Sequence, residues 1–150
     1  MSGRELYRHA TQVRVRNYEI DWQGIVHNAV YLHYFEVGRV EYLQELGIQI
    51  DVNTIQHESR VVVARNEIDY RSPARFDEEL TVMTRIAELG RTSFTFEGWI
   101  EESSTLRPVA ENRSVHVWLD SNGVVPVELP EEFIATVVAF EGKNCAVRPK

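Results

Sequence analysis

Cysteine is almost absent from this chain, which has 150 residues and a single thiol, Cys145. One cysteine cannot form an intramolecular disulfide, so the class of disulfide-stabilised secreted domains is excluded. The N-terminal segment "MSGRELYRHATQVRVR" also has no apolar stretch of the kind found in signal peptides. Together these two absences predict a protein of the reducing cytoplasm.

Long apolar runs and a surplus of positive charge are missing as well. No segment approaches the roughly 18 consecutive apolar residues of a membrane span. The chain has 23 acidic and 16 basic side chains, a net charge of −7, whereas broad nucleic-acid surfaces need clustered Lys and Arg. We therefore expect no membrane span and no nucleic-acid partner, although a local basic patch could still bind a polyanionic small molecule.

The length and composition are those of one globular domain. Hydrophobic residues make up 43% of the chain and charged residues 26%, and a chain of this size can bury a single core. No linker, repeat or low-complexity segment divides it. We expect residues 1–150 to form one domain.

The first third of the chain reads as a strand followed by a long helix. Residues 11–18 (TQVRVRNY) alternate between apolar and polar. Residues 29–46 carry apolar side chains at helical spacing, and Gly47 can end a helix in the left-handed conformation. Asn28 is the predicted N-cap of this helix.

The remainder of the chain reads as four strands and a short helix. Residues 60–72, 78–89, 91–103 and 108–120 are rich in β-branched and aromatic residues with period-two patterning, and their short breaks favour antiparallel pairing. Residues 130–140 (PEEFIATVVAF) predict a final helix opened by Pro130. The predicted class is α+β, with an antiparallel sheet of about five strands, one long helix and a short C-terminal helix.

One helix can cover only one face of such a sheet. His116 and Trp118 alternate with Val115, Val117 and Leu119, which predicts large apolar groups on both faces. Burial of the second face in an oligomer is the expected solution.

The loop between the first strand and the long helix carries the candidate chemistry. Asp21 lies in this loop, and Gly24 permits a sharp turn that lets the backbone approach a ligand closely. The N–H groups around Asn28, Ala29 and Val30 begin the helix, where they have no intrahelical acceptors and where the helix dipole favours negative charge. A carboxylate beside such N–H groups suits attack on an acyl carbonyl by Asp21 or by a water molecule that it activates.

Among acyl compounds, thioesters are the substrates best suited to a site with one carboxylate and the N–H groups of a helix start. A thiol has a pKa of about 8.5, so a thiolate can leave without a strong general acid. The chain has no G-x-S-x-G motif, and Cys145 lies near its end. The pattern alone leaves open a second interpretation, because an Asp between a strand and a helix is commonly a turn or capping residue.

A set of residues from this loop and helix resembles the signature of the 4-hydroxybenzoyl-CoA thioesterase-like family of hot-dog folds: Tyr18, Glu19, Asp21, Gly24, Ile25, Val26, Ala29, Tyr31, Leu32, Phe35, Glu36 and Arg39. The resemblance continues through residues 67–82 (EIDYRSPARFDEELTV) and the order of elements. It implies a curved antiparallel sheet wrapped around the long helix, and dimers joined edge to edge that often pair into tetramers. It also implies that Asp21 is the nucleophile or general base and that the Asn28 N–H polarises the carbonyl.

Three positions depart from the family pattern. The family often has Thr or Ser where Ile20 stands, His or Tyr where Asn28 stands, and Asn where Val30 stands. A backbone N–H remains at any residue except Pro, so Asn28 preserves the donor. These departures bear on which acyl group is accepted, and on whether the protein is an active hydrolase.

Several further residues are candidates for substrate binding. His27 flanks the helix start, and its alternative role is packing or hydrogen bonding. Arg91, Thr92 and Ser93 lie where the family holds CoA, and a solvated hairpin is the alternative. Glu36 and Arg39 are spaced for an ion pair on the helix surface. Other candidates are two loop cations for phosphate, Arg71 and Arg75, and three aromatic residues for an acyl pocket, Trp22, Tyr31 and Tyr34.

The sequence thus predicts a cytoplasmic acyl-CoA thioesterase that is a homodimer or homotetramer. No metal or other cofactor is expected, since no His residues have metal-ligand spacing and CoA is part of the substrate. One alternative is a hydrolase of acyl groups carried by acyl carrier protein. Another is an acyl-CoA-binding module without turnover.

Overall fold

A single antiparallel sheet forms most of the computed structural model, which describes residues 3–48 and 60–149. Its strands are β1 (His9–Arg14), β2 (Arg60–Tyr70), β3 (Glu79–Leu89), β4 (Ser93–Glu102), β5 (Pro108–Leu119) and the short β6 (Ala146–Val147). The helices are α1 (Val30–Glu45) and α2 (Glu131–Glu141). The strand order is β1-β3-β4-β5-β2, with β6 parallel to β3 at the end of β3. The predicted element order and antiparallel pairing are confirmed, with β6 as an unpredicted addition.

Helix α1 packs against the middle of the sheet because one of its sides is apolar. Tyr31, Phe35 and Tyr42 are almost completely buried there. The close packing depends on small residues, since a Cβ atom added at Gly38 would lie 2.5 Å from Thr84 Oγ1, and one added at Gly98 would lie 2.6 Å from Phe35 Cδ1. The helix ends before Gly47, which has a φ of 79°, as its sequence predicts.

The start of α1 differs from the prediction at the cap. Ala29 is the N-cap and makes no side-chain cap hydrogen bond, so the prediction of Asn28 in this role is wrong. The Ala29 N–H donates instead to the imidazole Nδ1 of His27, at 3.0 Å. The imidazole of His27 therefore accepts the N–H of the N-cap residue itself, whereas a capping Asn side chain would accept an N–H of the first helical turn.

The first strand is shorter than predicted at its C-terminal end. β1 ends at Arg14, and Asn17–Glu19 form a single 3₁₀ turn. In that turn the Glu19 carboxylate accepts the N–H of Arg16 at 2.7 Å. This local bond competes with the extended conformation that the alternating pattern indicates.

The sheet face opposite α1 is charged in its centre rather than apolar. Arg85 donates to Glu97 Oε1 at 2.7 Å, and Arg113 donates to Glu97 Oε2, also at 2.7 Å. Of the three predicted apolar residues on this face, Val115, Val117 and Leu119, each is only half-buried. The predicted large apolar groups are therefore present on this face beside ion pairs across β3, β4 and β5, and burial of the face in an oligomer stays a prediction.

Helix α2 closes the other end of the core. Phe133 and Val137 pack with Phe94 and Phe96, and Glu141 accepts a hydrogen bond from the Tyr42 hydroxyl at 2.5 Å. Pro130 is the N-cap of this helix rather than its first residue. No helix in the described ranges is both long enough and apolar enough to cross a membrane.

Candidate active site

A cleft of about 360 Å³ opens where the loop before α1, the start of α1 and the end of β2 meet. Its walls combine a carboxylate, a guanidinium, two phenol rings and apolar side chains. The lining residues are Asp21, Gln23, Ile25, Val26, Asn28, Tyr31, Tyr70, Arg71, Ser72 and Pro73. The cleft thus contains both residues that the sequence nominates for catalysis.

The loop that carries Asp21 is fixed by its own backbone. The Asp21 N–H donates to the Ile25 carbonyl at 2.8 Å, and the Gly24 N–H donates to the Asp21 carbonyl at 3.0 Å. Gly24 has a φ of 84°, a conformation that residues with a Cβ rarely adopt. The Val26 N–H then anchors the loop to the carbonyl of Ala74 at 2.9 Å. Asp21 is therefore held on a tight turn rather than a free loop.

The Asp21 carboxylate is half-buried, and one of its oxygens is engaged. Oδ1 accepts the N–H of Gln23 at 2.8 Å and, at the longer distance of 3.5 Å, the N–H of Ile25. Oδ2 has no hydrogen-bond partner in the described part of the chain. One oxygen thus orients the carboxylate while the other stays available to a ligand or water.

The N–H group of Asn28, just before the helix start, has no acceptor in the described part of the chain. The Val30 N–H donates to the His27 carbonyl at 2.9 Å, and the Ala29 N–H donates to His27 Nδ1. Within residues 3–48 and 60–149 the Asn28 N–H makes no hydrogen bond. Because the partial positive charge of α1 is concentrated at this end, the Asn28 N–H is a suitable donor to an oxyanion.

Two tyrosines support this donor from the side. The Tyr70 hydroxyl donates to the Asn28 carbonyl at 3.0 Å, and the rings of Tyr31 and Tyr70 meet edge to face with centroids 5.4 Å apart. The Tyr31 hydroxyl accepts the Ala74 N–H at 3.1 Å, and burial raises the pKa of this phenol. Tyr31 is thus a fixed wall of the cleft that stays protonated at neutral pH.

Arg71 supplies positive charge to the cleft. It donates to Glu111 Oε1 at 2.7 Å, and its side chain is 49% exposed. The partner, Glu111, is 4% exposed, and its other oxygen, Oε2, is buried without a hydrogen-bond partner. The guanidinium is therefore anchored on one side and free to bind an anion on the other.

Comparison with known proteins places this geometry in a family. A profile described as the thioesterase-like superfamily matches residues 15–137. The chain belongs to the thioesterase-like superfamily. The resemblance to thioesterases noted in the sequence is therefore confirmed.

Relatives of this thioesterase occur in plants and bacteria. It is 31% identical over 139 residues to the chloroplastic acyl-acyl carrier protein thioesterase ATL3 of Arabidopsis thaliana, a match that covers 93% of this chain and 72% of ATL3. It is 31% identical over 120 residues to the acyl-CoA thioesterase YbgC of Haemophilus influenzae, covering 80% of this chain and 87% of YbgC.

A solved relative shares the fold over almost its whole length. This is a thioesterase of Thermus thermophilus in complex with coenzyme A and Zn, with 34% identity, a TM-score of 0.79, and coverage of 97% of this chain and 99% of that one. The predicted hot-dog class, an antiparallel sheet with one long helix, is confirmed for this thioesterase.

The predicted site residues are only partly brought together. Asp21, Asn28 and Tyr31 line the cleft of the thioesterase, whereas Gly24 and His27 shape the backbone beside it and do not line it. Arg91, Thr92 and Ser93 lie at the β3–β4 hairpin, where the Arg91 carbonyl accepts the Leu129 N–H at 2.9 Å. Because β3 spans roughly 30 Å and the cleft lies toward its opposite end, this hairpin is remote from Asp21 within one chain.

The remaining candidate residues lie outside the cleft. Trp22 is 92% exposed, while Tyr34 is buried and donates to Glu19 at 2.9 Å; neither lines the cleft. Arg75 is exposed and also lies outside the lining residues. Glu36 and Arg39 form no close ion pair within the described residues, but their charges interact: burial lowers the pKa of Arg39 and the charge of Glu36 raises it. Glu36 is exposed, whereas Arg39 is partly buried.

Tyr70 is the functional candidate that the sequence does not indicate. It precedes Arg71 at the end of β2, and only the packing of β2 beside the start of α1 brings its hydroxyl to Asn28.

The described ranges contain no group of three or more His, Cys, Asp or Glu side chains placed to hold a metal ion. The absence of a cofactor stays a prediction.

Proposed function

We propose that this thioesterase hydrolyses acyl-CoA to a free acid and CoA at the cleft that contains Asp21 and Asn28. One observation supports this most directly. The Asn28 N–H at the start of α1 has no acceptor in the described structure, and Asn28 lines the same cleft as Asp21, whose carboxylate has one oxygen without a hydrogen bond. A tetrahedral oxyanion supplies the acceptor that this N–H lacks.

The chemistry needs only these groups and water. In the general-base route, the Asp21 carboxylate takes a proton from water while the water oxygen bonds to the thioester carbon. The carbonyl oxygen becomes an oxyanion that accepts the Asn28 N–H. When the C–O double bond re-forms, the C–S bond breaks, and the leaving thiolate takes the proton from the Asp21 carboxyl.

A nucleophilic route uses the same residues. Here Asp21 Oδ2 bonds to the thioester carbon and CoA leaves as a thiolate, which produces a mixed anhydride that water then hydrolyses. A single turnover in heavy-oxygen water separates the two routes. Label found in Asp21 supports the anhydride, because the general-base route places no water oxygen in the enzyme. Label found only in the product acid fits either the general base or attack of water on the acyl carbon of an anhydride, and trapping of the acyl group on Asp21 by hydroxylamine separates these two.

The likeness to the acyl-CoA thioesterase YbgC supports CoA as the carrier of the acyl group, whereas the relative ATL3 is named for acyl carrier protein. Arg71 at the cleft suits a small polyphosphate as a local cation. Rates on CoA-linked and carrier-linked forms of one acyl chain test this choice.

We further propose that two copies pair through β2. This strand is at the edge of the sheet, bonded on one side by β5, and Val61, Val62 and Val63 are 42%, 43% and 50% exposed. An exposed apolar edge is a template for a second strand. A second copy would also be the source of an Arg91–Ser93 hairpin near the cleft.

Action in the cytoplasm stays a prediction from the single cysteine.

The decisive experiment replaces the carboxylate and leaves the backbone donor in place. Asp21→Asn is expected to fold normally and to lose at least about 100-fold in kcat on acyl-CoA, because the amide is a poor base and nucleophile. Asn28→Ala is the matched control, since the donor is a backbone N–H that any residue except Pro supplies; its kcat should stay within a few-fold. Unchanged turnover in Asp21→Asn would refute the proposal.

A further inference from the structure

Two peptide groups flank the proposed oxyanion donor, one on each side of Asn28. The first joins His27 to Asn28 and contains the Asn28 N–H, and the second joins Asn28 to Ala29 and contains the Ala29 N–H. A peptide group is planar and turns as one unit. The hydrogen bonds made by the other atoms of these two groups therefore control the direction of the Asn28 N–H.

Each of those other polar atoms is bonded within the chain. In the first group, the His27 carbonyl accepts the Val30 N–H at 2.9 Å. In the second group, the Asn28 carbonyl accepts the Tyr70 hydroxyl at 3.0 Å, and the Ala29 N–H donates to His27 Nδ1, also at 3.0 Å. Of the two groups, only the Asn28 N–H has no acceptor in the described part of the chain.

The bond from Ala29 to the imidazole of His27 limits the number of free donors at this helix start. The helix itself offers the Ala29 N–H no acceptor, and His27, Asn28 and Ala29 are all exposed. Without the ring, the Ala29 N–H would be a second free donor beside the Asn28 N–H. The ring is held in place from its own backbone, since the His27 N–H donates to the Glu19 carbonyl at 2.9 Å.

The same bond determines where the ring proton lies. A ring nitrogen that accepts an N–H carries no proton, so the neutral imidazole of His27 has its proton on Nε2. Nδ1 is occupied by the Ala29 N–H and Nε2 already carries a hydrogen, so neither nitrogen is available to take a proton from water. The His27 side chain therefore does not act as the general base, and Asp21 is left for that role.

We propose that His27 is a positioning residue of the active site, whose imidazole holds the Ala29 N–H and thereby keeps the Asn28 N–H aligned with the oxyanion. This inference rests on the proposed thioesterase function and adds a residue that acts through the peptide group next to the donor. A donor that is already aligned stabilises developing charge without having to reorganise. The contribution of His27 therefore belongs to the chemical step and not to substrate binding.

The test compares two substitutions of His27 on the most rapidly hydrolysed of acetyl-, octanoyl- and benzoyl-CoA. In His27→Asn the amide oxygen is attached to Cγ, as Nδ1 is, and can accept the same N–H, whereas His27→Leu has no acceptor. His27→Leu should lower kcat by about 10-fold, less than the loss of about 100-fold or more when an oxyanion donor is removed outright. KM should change by less than about two-fold.

His27→Asn should keep kcat within about three-fold of the wild type, because it restores the acceptor. His33→Leu is the matched control, since His33 is exposed on α1 and does not line the cleft. It should retain the wild-type kcat and KM.

NMR measures the same bond without substrate. The Ala29 N–H should exchange with solvent slowly in the wild type and in His27→Asn, and at least about 10-fold faster in His27→Leu. The Asn28 N–H should exchange fast in all three proteins. The nitrogen shifts of the His27 ring should place its proton on Nε2.

The outcomes separate this inference from the proposed function. Full kcat in His27→Leu, or an equal loss of kcat in His27→Leu and His27→Asn, overturns the positioning role and leaves the thioesterase in place. A ring proton on Nδ1 also overturns it, because that nitrogen could not accept the Ala29 N–H. If the wild type hydrolyses none of the three substrates, the proposed function fails. Slow exchange of the Ala29 N–H that is lost only in His27→Leu would then still support the hold of the ring on this peptide group, and equal exchange in all variants would refute it.

Discussion

The Tyr70 hydroxyl lies 3.0 Å from the carbonyl oxygen of Asn28 and donates a hydrogen bond to it. This bond joins the last residue of edge strand β2 to the residue whose N–H is the proposed oxyanion donor. The Asn28 N–H and carbonyl belong to successive peptide groups, so restraining the carbonyl also restrains the direction of the N–H. Tyr70 is thereby a positioning residue for the reaction.

Replacement of this hydroxyl should affect the chemical step more than substrate binding. Tyr70→Phe keeps the ring contact with Tyr31 and removes only the hydrogen bond, so kcat should fall by about 3-fold to 10-fold, the equivalent of about 1 kcal/mol. KM should change by less than about two-fold. Steady-state kinetics measures both, with Tyr18→Phe as control because Tyr18 is 80% exposed and lies outside the cleft. A rise in KM at constant kcat would argue against positioning.

The buried His116 predicts a loss of stability in acid. Its pKa is lowered from 6.5 to about 4 in the folded protein, first by burial and then by Arg39. Below about pH 6.5 the unfolded chain binds a proton that the folded protein does not bind, so the free energy of unfolding falls as the pH decreases from about 6.5 toward about 4. Between about pH 7 and pH 5 the loss should be about 2 kcal/mol. Urea titrations at the two pH values measure it.

The matched variant for this effect is His116→Gln, which keeps a polar side chain but does not titrate. Its free energy of unfolding should fall less than that of the wild type over the same pH interval, by about the amount assigned to His116. An equal fall in both proteins would assign the acid sensitivity to other groups.

Gly98 predicts a steric cost at the contact between α1 and the sheet. In Gly98→Ala the new Cβ would lie 2.6 Å from Phe35 Cδ1, so the ring must move. The free energy of unfolding should decrease by about 1–3 kcal/mol, the usual cost of overpacking. In a Phe35→Leu background the same change should cost distinctly less, because the clashing ring atoms are gone. Additive costs in this double-mutant cycle would contradict the contact.

If two copies pair through the exposed edge of β2, charged substitutions on this strand should separate them into single chains. Val62→Lys combined with Val63→Lys places two charges on the strand, and charged edge residues oppose strand pairing. Light scattering should show a lower molar mass than for the wild type. The double variant Glu131→Lys and Glu132→Lys, on exposed positions at the start of α2, is the control and should keep the wild-type mass. If both variants keep it, the copies do not pair through β2.

The sequence predicts the fold well where one periodicity dominates. The bounds of β3 to β5 and of α1 agree with the prediction to within about two residues, because each segment alternates or repeats without local competition. The predicted β1 is too long because the bond from the Arg16 N–H to Glu19 turns the backbone. The cap prediction fails because the helix begins one residue later than predicted, so that Ala29, whose side chain has no acceptor, is the N-cap.

The candidate site is harder to predict because its parts meet only after folding. Asp21 and Asn28 are close in sequence and share a loop, so local reasoning finds both. Tyr70 lies far along the chain and reaches Asn28 only through the packing of β2 beside α1. The spacing of Arg39 from Glu36 predicts a surface pair, but spacing does not indicate which side of a helix the sheet will cover.

The position of β2 at the edge of the sheet also affects how the protein is made. On the ribosome, β2 emerges before β3, β4 and β5, yet its hydrogen-bonding partner is β5, the last of these to be synthesised. Its three consecutive valines therefore stay in the nascent chain without a neighbouring strand, and they remain exposed along the outer edge even after β5 has joined. Slow translation between β2 and β5, or overexpression that crowds many unfinished chains together, should thus cause aggregation of new protein at a stage when the mature enzyme would remain in solution.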